Sequence, residues 1–311
     1  MKKLSKILLS LMLIMTLVFS LGACNNKTDT SIDKQENEAI TYPMDVEDKY
    51  GNNITIEKEP ETVISLSPEF TETIFALEAG DKLVGRTDYC DYPSEVEDIE
   101  SLGELTQPDI ERIVEIGPDI VLVSAHVSDE TITQLQQQGI TVLALALTGG
   151  FDDTYKYIAT LGKVLNVKDK SDKIIDDMKD KVSELTKAVE GKEKPTAYFV
   201  VGYGEHNSTA TGETFLGKLI ESAGAENIAK DATGWSYSIE QLVDQDPEIV
   251  ICSNKFDSKS KIEQLEGYKD LTAVKEGRLY ETDENVFFRQ GPRLVVGLEE
   301  LVKIFHPEVL E

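Results

Sequence analysis

The chain has 311 residues and a formal net charge of −27 at neutral pH. That length is enough for two lobes with separate hydrophobic cores. The excess of acid argues against a nucleic-acid-binding function and suits a soluble extracytoplasmic body that meets a basic partner. The alternative is that the acidity serves only solubility.

The first 41 residues have the pattern of an export leader followed by a tether. Residues 1–6 are basic, and 7–23 form an apolar run shorter than the about 20 residues that span a membrane. The small residues before Cys24 resemble a bacterial lipobox. This resemblance implies a signal peptide at 1–23, lipidation of Cys24 and an extracytoplasmic protein anchored to the cell membrane, while an uncleaved signal anchor is the alternative. The polar segment 24–41 is predicted to be a flexible tether.

Strands and helices alternate along residues 42–165, which we assign to an N-terminal α/β lobe. A small hairpin around 50–56 precedes them. The pattern predicts strands at 62–66, 82–86, 120–124 and 141–147, and helices at 69–78, before residue 120 and through Gln134 and Gln138. Such alternation indicates a parallel sheet covered by helices on both faces.

A long amphipathic helix is predicted within 166–192. Its apolar residues recur at intervals of three and four, at Ile175, Met178, Val182, Leu185 and Val189. A helix of about 20 residues spans about 30 Å, the width of a small domain. We expect it to act as a stiff strut that allows only small hinge motion.

The segment 193–311 is predicted to be a second α/β lobe with the same layout. Its strands are expected at 196–201, 249–253 and 278–281, and its helices at 213–223, before residue 247 and at 291–305. The predicted fold is therefore two Rossmann-like lobes with central parallel sheets, joined by a single long α-helix, with a ligand cleft between the lobes.

A helix-to-strand unit occurs twice, as IERIVEIGPDIVLVS at 110–124 and IEQLVDQDPEIVICS at 239–253. The two copies share seven of fifteen residues and lie 129 residues apart, about the length of one domain. In each copy a Glu opens a short helix and a Pro ends it before a β-branched run. Convergence of similar αβ units is the alternative, but matching residues at fixed offsets favour two related lobes.

Two cysteines remain besides Cys24. Cys90 and Cys252 fall in different lobes, and Cys252 lies in a strand that should be buried. We predict two free thiols rather than a disulfide framework.

Ligands of open parallel sheets bind beyond the carboxyl ends of the strands. In this chain the segments that follow those ends carry Tyr, Phe, His and Arg side chains with several small polar groups. They are 67–68, 89–92, 124–126, 203–211, 253–256 and 285–289. Two lobes that face each other across these loops would form a cleft.

Six segments together resemble the class III extracytoplasmic solute-binding proteins of ABC importers, which deliver cobalamin, haem and iron–siderophore complexes. They are VISLSPEFTETIFAL at 63–77, VGRTDYCDYPSE at 84–95, PDIERIVEIGPDIVLVS at 108–124, ETFLGKLIESAGAENI at 213–228, WSYSIEQLVDQDPEIVICS at 235–253 and RQGPRLVVGLEELVKIFHPE at 289–308. The resemblance extends over the whole chain from about residue 54.

The resemblance implies a partner for the repeated glutamates Glu111 and Glu240. They match carboxylates, one on each lobe, that dock into Arg pockets on a permease dimer, which works with ATPase subunits. A monomeric receptor with pseudo-twofold symmetry would meet a twofold transporter in this way. Alternatively, each Glu only complements a helix macrodipole, which contributes about 0.3–1 kcal/mol.

The loop DYCDYP most resembles the cobalamin branch of that family, in which the residue that matches Tyr89 packs on the corrin ring. Further flat surfaces for a macrocycle are expected at Tyr92, Tyr203 and Trp235. The chain departs from that branch, because Leu105 and Ser124 stand where the best-known cobalamin member has Trp. The cleft Trp of that member is also one place away from Trp235. No resident cofactor is predicted, and the bound ligand would be cobalamin or another metallated macrocycle or chelate.

Three histidines are present. His126 and His206 should face the cleft, where each could ligate the metal of a macrocycle axially or hydrogen-bond a backbone or ligand amide. His306 is expected to be structural. With so few histidines, no bare metal site is predicted.

Three arginines are candidates for recognising an anionic siderophore: Arg86, Arg289 and Arg293. We expect Arg289 to line the cleft and Arg293 to bond helix or loop carbonyls, while Arg86 could point either way. A catecholate complex usually meets several clustered cations. An acidic receptor with few cleft arginines therefore favours a corrinoid, and it leaves neutral hydroxamate complexes and haem as alternatives.

Catalysis in the cleft is the remaining alternative. Possible acids and bases are Asp88, Asp91, Glu205 and His206, and Ser67 and Ser253 open cleft loops. The sequence has no nucleophile elbow, metal-ligand spacing or phosphate-binding glycine loop. We therefore predict a binding protein with no catalytic residue.

Overall fold

The N-terminal lobe is built on a parallel sheet. A computed structural model describes residues 39–147, 149–204 and 207–310. An antiparallel hairpin, β1 (Met44–Glu47) and β2 (Asn53–Ile56), comes first. The lobe then runs β3 (Val63–Ser65), α1 (Pro68–Ala76), β4 (Leu83–Arg86), α2 (Ile110–Ile116), β5 (Ile120–Val123), α3 (Asp129–Gln137) and β6 (Val142–Ala144). The four strands β3–β6 form one parallel sheet in the order β4-β3-β5-β6.

Two helices, α4 (Phe151–Val164) and α5 (Lys168–Ala188), lead to the C-terminal lobe. That lobe runs β7 (Thr196–Gly202), β8 (Ser208–Thr209), α6 (Phe215–Ser222), β9 (Glu226–Asn227), α7 (Ile239–Gln245), β10 (Ile249–Ser253), α8 (Ser258–Ile262), α9 (Thr272–Lys275), β11 (Leu279–Thr282), α10 (Glu284–Phe288) and α11 (Leu294–Phe305). Its sheet has the order β11-β10-β7-β8, with β9 also paired to β7 and only β8 antiparallel. The described residues also form three short 3₁₀ turns, at Gly80–Lys82, Ser94–Asp98 and Pro307–Val309.

These two lobes confirm the predicted α/β fold. The central strands are buried on both faces, as β5 shows with all four of its residues in the core. Helix α4 was not predicted. Its buried side chains Tyr157, Ile158, Leu161 and Val164 do recur at helical spacing, but the helix follows a glycine pair that marks a loop. The thiols of Cys90 and Cys252 are free, as predicted, and both are buried. In the described ranges, no helix combines the length and apolar character needed to cross a bilayer.

One apolar stripe of α5 serves both hydrophobic cores. Ile175 and Met178 belong to the core of the N-terminal lobe, whereas Leu185 and Val189 belong to that of the C-terminal lobe. Val182, between them, packs against both. The helix has 21 residues, so it is about 30 Å long. It therefore holds the two lobes from within their cores.

A buried carboxylate also ties the lobes together. Glu72 lies on α1, and its side chain is 2 % exposed. It accepts hydrogen bonds from Arg289 Nη1 at 2.8 Å and from Arg293 Nε and Nη2 at 2.8 and 2.6 Å. Arg289 also pairs with Asp91 at 2.6 Å and donates to the Tyr89 carbonyl oxygen at 3.0 Å. This cluster of two carboxylates and two guanidinium groups, the interlobe ion cluster, links α1 and the loop after β4 to the segment between α10 and α11.

We expect Glu72→Gln to lower the free energy of unfolding by about 3–5 kcal/mol. The amide keeps the shape of the side chain but leaves the guanidinium group of Arg293 without its opposing charge and that of Arg289 with only the half-exposed Asp91. Urea unfolding of the variant and the parent chain measures the loss.

The matched control is Glu100→Gln. Glu100 also makes a two-pronged pair with an arginine, Arg112, at 2.7 and 2.9 Å, but the two side chains are 44 % and 38 % exposed. Its loss should be below about 1 kcal/mol. Equal losses for the two variants would contradict the role assigned to the interlobe ion cluster.

Candidate ligand cleft

A cavity of about 510 Å³ lies where the carboxyl ends of the two sheets face each other. The N-terminal lobe contributes the first turn of α1 and the loops after β5 and β6. The C-terminal lobe contributes the start of α6, the loop before α7 and the end of α10. The lining residues are Glu69, Ser124, Ala125, His126, Leu147, Glu213, Thr214, Phe215, Trp235, Phe288 and Gln290.

Two of the predicted ligand-binding residues line this cavity, His126 and Trp235. Trp235 is 36 % exposed and has a φ of 60°, an uncommon conformation for a bulky residue. The backbone there is held by a hydrogen bond from the Thr209 amide to the Trp235 carbonyl, at 2.9 Å. The indole is therefore presented to the cavity by a constrained loop, as is common at binding sites.

The three predicted tyrosines lie outside the lining. The Tyr89 hydroxyl donates to Glu104 at 3.1 Å, and the Arg293 guanidinium stacks over the Tyr92 ring, with its carbon 4.0 Å from the ring centroid. Tyr89 and Tyr92 are nevertheless about half exposed. Tyr203 packs against the core of the C-terminal lobe. Tyr89 and Tyr92 therefore belong to the loop after β4, outside the lining, and Tyr203 supports the C-terminal lobe.

The arginines are already bound to protein groups. Arg289 and Arg293 belong to the interlobe ion cluster. Arg293 was expected to bond carbonyls, but the acceptor in the structure is the Glu72 carboxylate. Arg86 donates to the carbonyl oxygens of Val96 and Thr87, at 3.0 and 3.1 Å, and so braces its own loop.

The two histidines in the described part of the chain, His126 and His306, lie where the sequence analysis expects them. His126 is exposed at the cavity, and the buried His306 contacts the Gly224 carbonyl at 3.0 Å, a structural role. His206 and Glu205, like Cys24, lie outside the described residues. Within the described part of the chain, no three His, Cys, Asp or Glu side chains are grouped as metal ligands.

Two acidic residues of the lining were not singled out from the sequence. Glu69 is 8 % exposed, and burial raises the pKa of its carboxyl above the ordinary value. Glu213, from the other lobe, accepts a hydrogen bond from the Gly234 amide at 2.5 Å. From sequence alone, a Glu in the first turn of a helix, such as Glu69, is interpreted as a favourable partner of the helix macrodipole. That interpretation gives no reason to expect the residue in the lining of a cavity.

Two neutral polar residues of the lining, Ser124 and Gln290, lie at the ends of cleft elements. Ser124 is 3 % exposed, and its hydroxyl has no hydrogen-bond partner among the described residues. Gln290 spans the lobes, because it donates to the Leu147 carbonyl at 2.7 Å and accepts from the Gly150 amide at 3.3 Å. The sequence feature that points to these residues is their position, because Ser124 directly follows β5 and Gln290 lies just after α10.

The repeated glutamates lie on the surface, away from the cavity. Glu111 and Glu240 occupy the first turns of α2 and α7, and both are exposed. Asp109 and Ser238 cap these helices, so the glutamates are not needed as caps. Neither glutamate has a hydrogen bond or ion pair within the described residues. Three residues further along, each helix exposes a valine, at Val114 and Val243.

The chain matches the family model described as periplasmic binding protein over residues 63–286. It is 30% identical to an uncharacterised ABC transporter substrate-binding lipoprotein of Bacillus subtilis, with 94% of each chain covered. It is 28% identical to a cobalamin-binding protein of Halobacterium salinarum, over 86% of this chain and 75% of that one. A solved structure of an ABC-type Fe³⁺-hydroxamate transport system from Saccharomonospora viridis superposes with a TM-score of 0.71 at 25% identity, covering 86% and 100% of the two chains. The chain therefore belongs to the periplasmic binding protein family.

Proposed function

We propose that the protein is the substrate-binding component of an ABC importer, which captures a corrinoid such as cobalamin and delivers it to a permease dimer. The observation that carries this proposal is the cavity between two lobes, lined by three aromatic rings from the C-terminal lobe: Phe215, Trp235 and Phe288. Aromatic faces suit a large, rigid, partly apolar ligand. The names of the Bacillus and Halobacterium relatives support the same role.

The N-terminal segments fit this role as an anchor. Residues 1–23 would be the signal peptide, Cys24 the lipidated residue and 24–41 the tether that holds the receptor at the cell membrane. The relative from Bacillus subtilis is named a lipoprotein, which supports this assignment.

Two other ligands of the same class remain as alternatives. A ferric hydroxamate is favoured by the similarity to the Saccharomonospora structure. Haem is favoured by His126, whose exposed imidazole lines the cavity and could be an axial ligand. The family and its named relatives are binding proteins, so we propose no catalytic step.

Binding should involve little lobe motion. The stripe of α5 is buried in both cores, and the interlobe ion cluster and Gln290 hold the two sides of the cavity together. A cavity held in this way is largely preorganised, which lowers the ordering cost of binding.

We expect cyanocobalamin to quench the fluorescence of the chain that begins at Asn25. Trp235 is the single tryptophan of the sequence, and it lines the cavity, so its emission reports on ligand in the cleft. A shift of the corrin absorbance bands should accompany the quenching. Haem and a ferric hydroxamate are titrated in parallel.

The corrinoid assignment fails if cyanocobalamin leaves the emission unchanged while another ligand quenches it. A sharp haem Soret band that is lost in His126→Ala would move the protein to the haem group. Quenching only by the ferric complex would assign it to the hydroxamate group.

We expect Glu111→Ala combined with Glu240→Ala to leave ligand affinity unchanged and to lower transport by more than about tenfold. The two exposed carboxylates would each meet an arginine pocket of the permease dimer, and loss of both removes the paired charges. Ligand uptake by cells, or by vesicles that contain the permease, measures transport.

The control is Glu130→Ala with Glu190→Ala, which removes two exposed glutamates outside α2 and α7. It should change neither affinity nor transport. Equal loss of ligand affinity and transport in the Glu111/Glu240 variant would contradict the docking role.

A further inference from the structure

The cavity has an unusual balance of charge for a site that could receive a metal chelate. Among the described residues that line it, Glu69 and Glu213 are acidic, and none is Lys or Arg. One carboxyl comes from each lobe, so a ligand between the lobes has an acidic group on either side. His126 is the remaining titratable group of this lining.

The nearby arginines are already paired with other carboxylates. Within the interlobe ion cluster, Arg289 and Arg293 both form ion pairs with Glu72, and Arg289 also forms one with Asp91. Their side chains are 11 % and 22 % exposed. Both guanidinium groups therefore have carboxylate partners within the protein before any ligand binds.

Two polar residues of the lining, Ser124 and Glu69, are nearly buried. The Ser124 hydroxyl has no hydrogen-bond partner in the described structure and its oxygen is closed to solvent, so a ligand group would supply the missing bond once the hydroxyl rotates toward the cavity. The Glu69 carboxyl is nearly buried, and burial raises its pKa above the ordinary value, although the charge of Arg289 acts in the opposite direction. A neutral carboxyl donates a hydrogen bond to an amide carbonyl, whereas an ionised one attracts a cation.

We infer that the cavity selects an uncharged or cationic metal complex and rejects polyanionic ones, with Glu69 and Ser124 as ligand contacts. This inference rests on the proposed function and defines its substrate class by charge. Rejection follows because a ligand anion would lie beside the Glu213 carboxylate, and beside Glu69 whenever that group is ionised, with no Lys or Arg in the described lining to balance them. Amide-bearing corrinoids and uncharged hydroxamates both satisfy the rule, whereas tricatecholate complexes do not.

The test uses two ligand series in which only one charge changes. One series is cyanocobalamin and its monocarboxylic acids, in which one side-chain amide is hydrolysed. The other is a linear ferric trihydroxamate whose terminal amine is free, acetylated or succinylated. Quenching of Trp235 gives the affinity for each member, and we expect the anionic members to bind at least about tenfold more weakly than the uncharged ones.

Glu69→Gln should narrow the affinity difference between anionic and uncharged members several-fold. It should do so by improving the affinity for the anionic members, because it removes an acidic group without changing the shape of the side chain. Ser124→Ala should weaken uncharged and anionic members alike. Glu57→Gln, at an exposed site, should change nothing. Thermal unfolding of each variant checks that the fold is retained, and Glu213→Gln replaces Glu69→Gln if that variant does not fold.

The outcomes separate this inference from the proposed corrinoid function. Binding of uncharged hydroxamates alone would overturn the corrinoid assignment and support the charge rule. Equal or tighter binding of the anionic members in either series would overturn the charge rule while the receptor role stands. A Glu69→Gln variant that folds but leaves the difference unchanged would remove Glu69 from the inference, and quenching by no member would overturn both proposals.

Discussion

The pairing of one buried carboxylate with two guanidinium groups sets both the geometry and the electrostatics of the cleft. Hydrogen bonds to Glu72 hold the side chains of Arg289 and Arg293, which come from the C-terminal lobe, against α1. The same bonds bring the two sheet edges together and neutralise the cations nearest the cavity. That the described lining of the cavity carries acidic residues and no arginine is therefore a consequence of how the lobes are joined. Removing this carboxylate would change both the position of the lobes and the charge that a ligand meets.

The binding surface divides its tasks between the lobes. The C-terminal lobe supplies the aromatic rings, including a tryptophan held at positive φ, while the N-terminal lobe supplies Glu69, Ser124 and His126. Contact of its faces with the aromatic rings of the C-terminal lobe, together with polar contacts to both lobes, would fix the orientation of a flat ligand. Gln290 bonds both lobes beside the cavity, so little of this arrangement has to form on binding.

The fold was predictable because its signals are local. Proline after a short helix and β-branched runs define the repeated units, and a single stripe of apolar residues defines α5. The site was only partly predictable. His126 follows from its place beyond a strand end, and Trp235 from the resemblance to the cobalamin branch, but the partners of Arg289 are about 200 residues away in sequence. No local pattern shows that an arginine expected to face a ligand is instead bound by Glu72 and Asp91.

Because α5 contributes to both hydrophobic cores, the unfolding of one lobe is coupled to that of the other. Each lobe lacks part of its core if the helix leaves, since Ile175 and Met178 complete one core and Leu185 and Val189 the other. The lobes should therefore lose their structure in one cooperative transition, and amides at the centres of both sheets should share a single opening free energy. A species with one lobe folded and the other open, the form that a protease would cleave, is thereby kept rare.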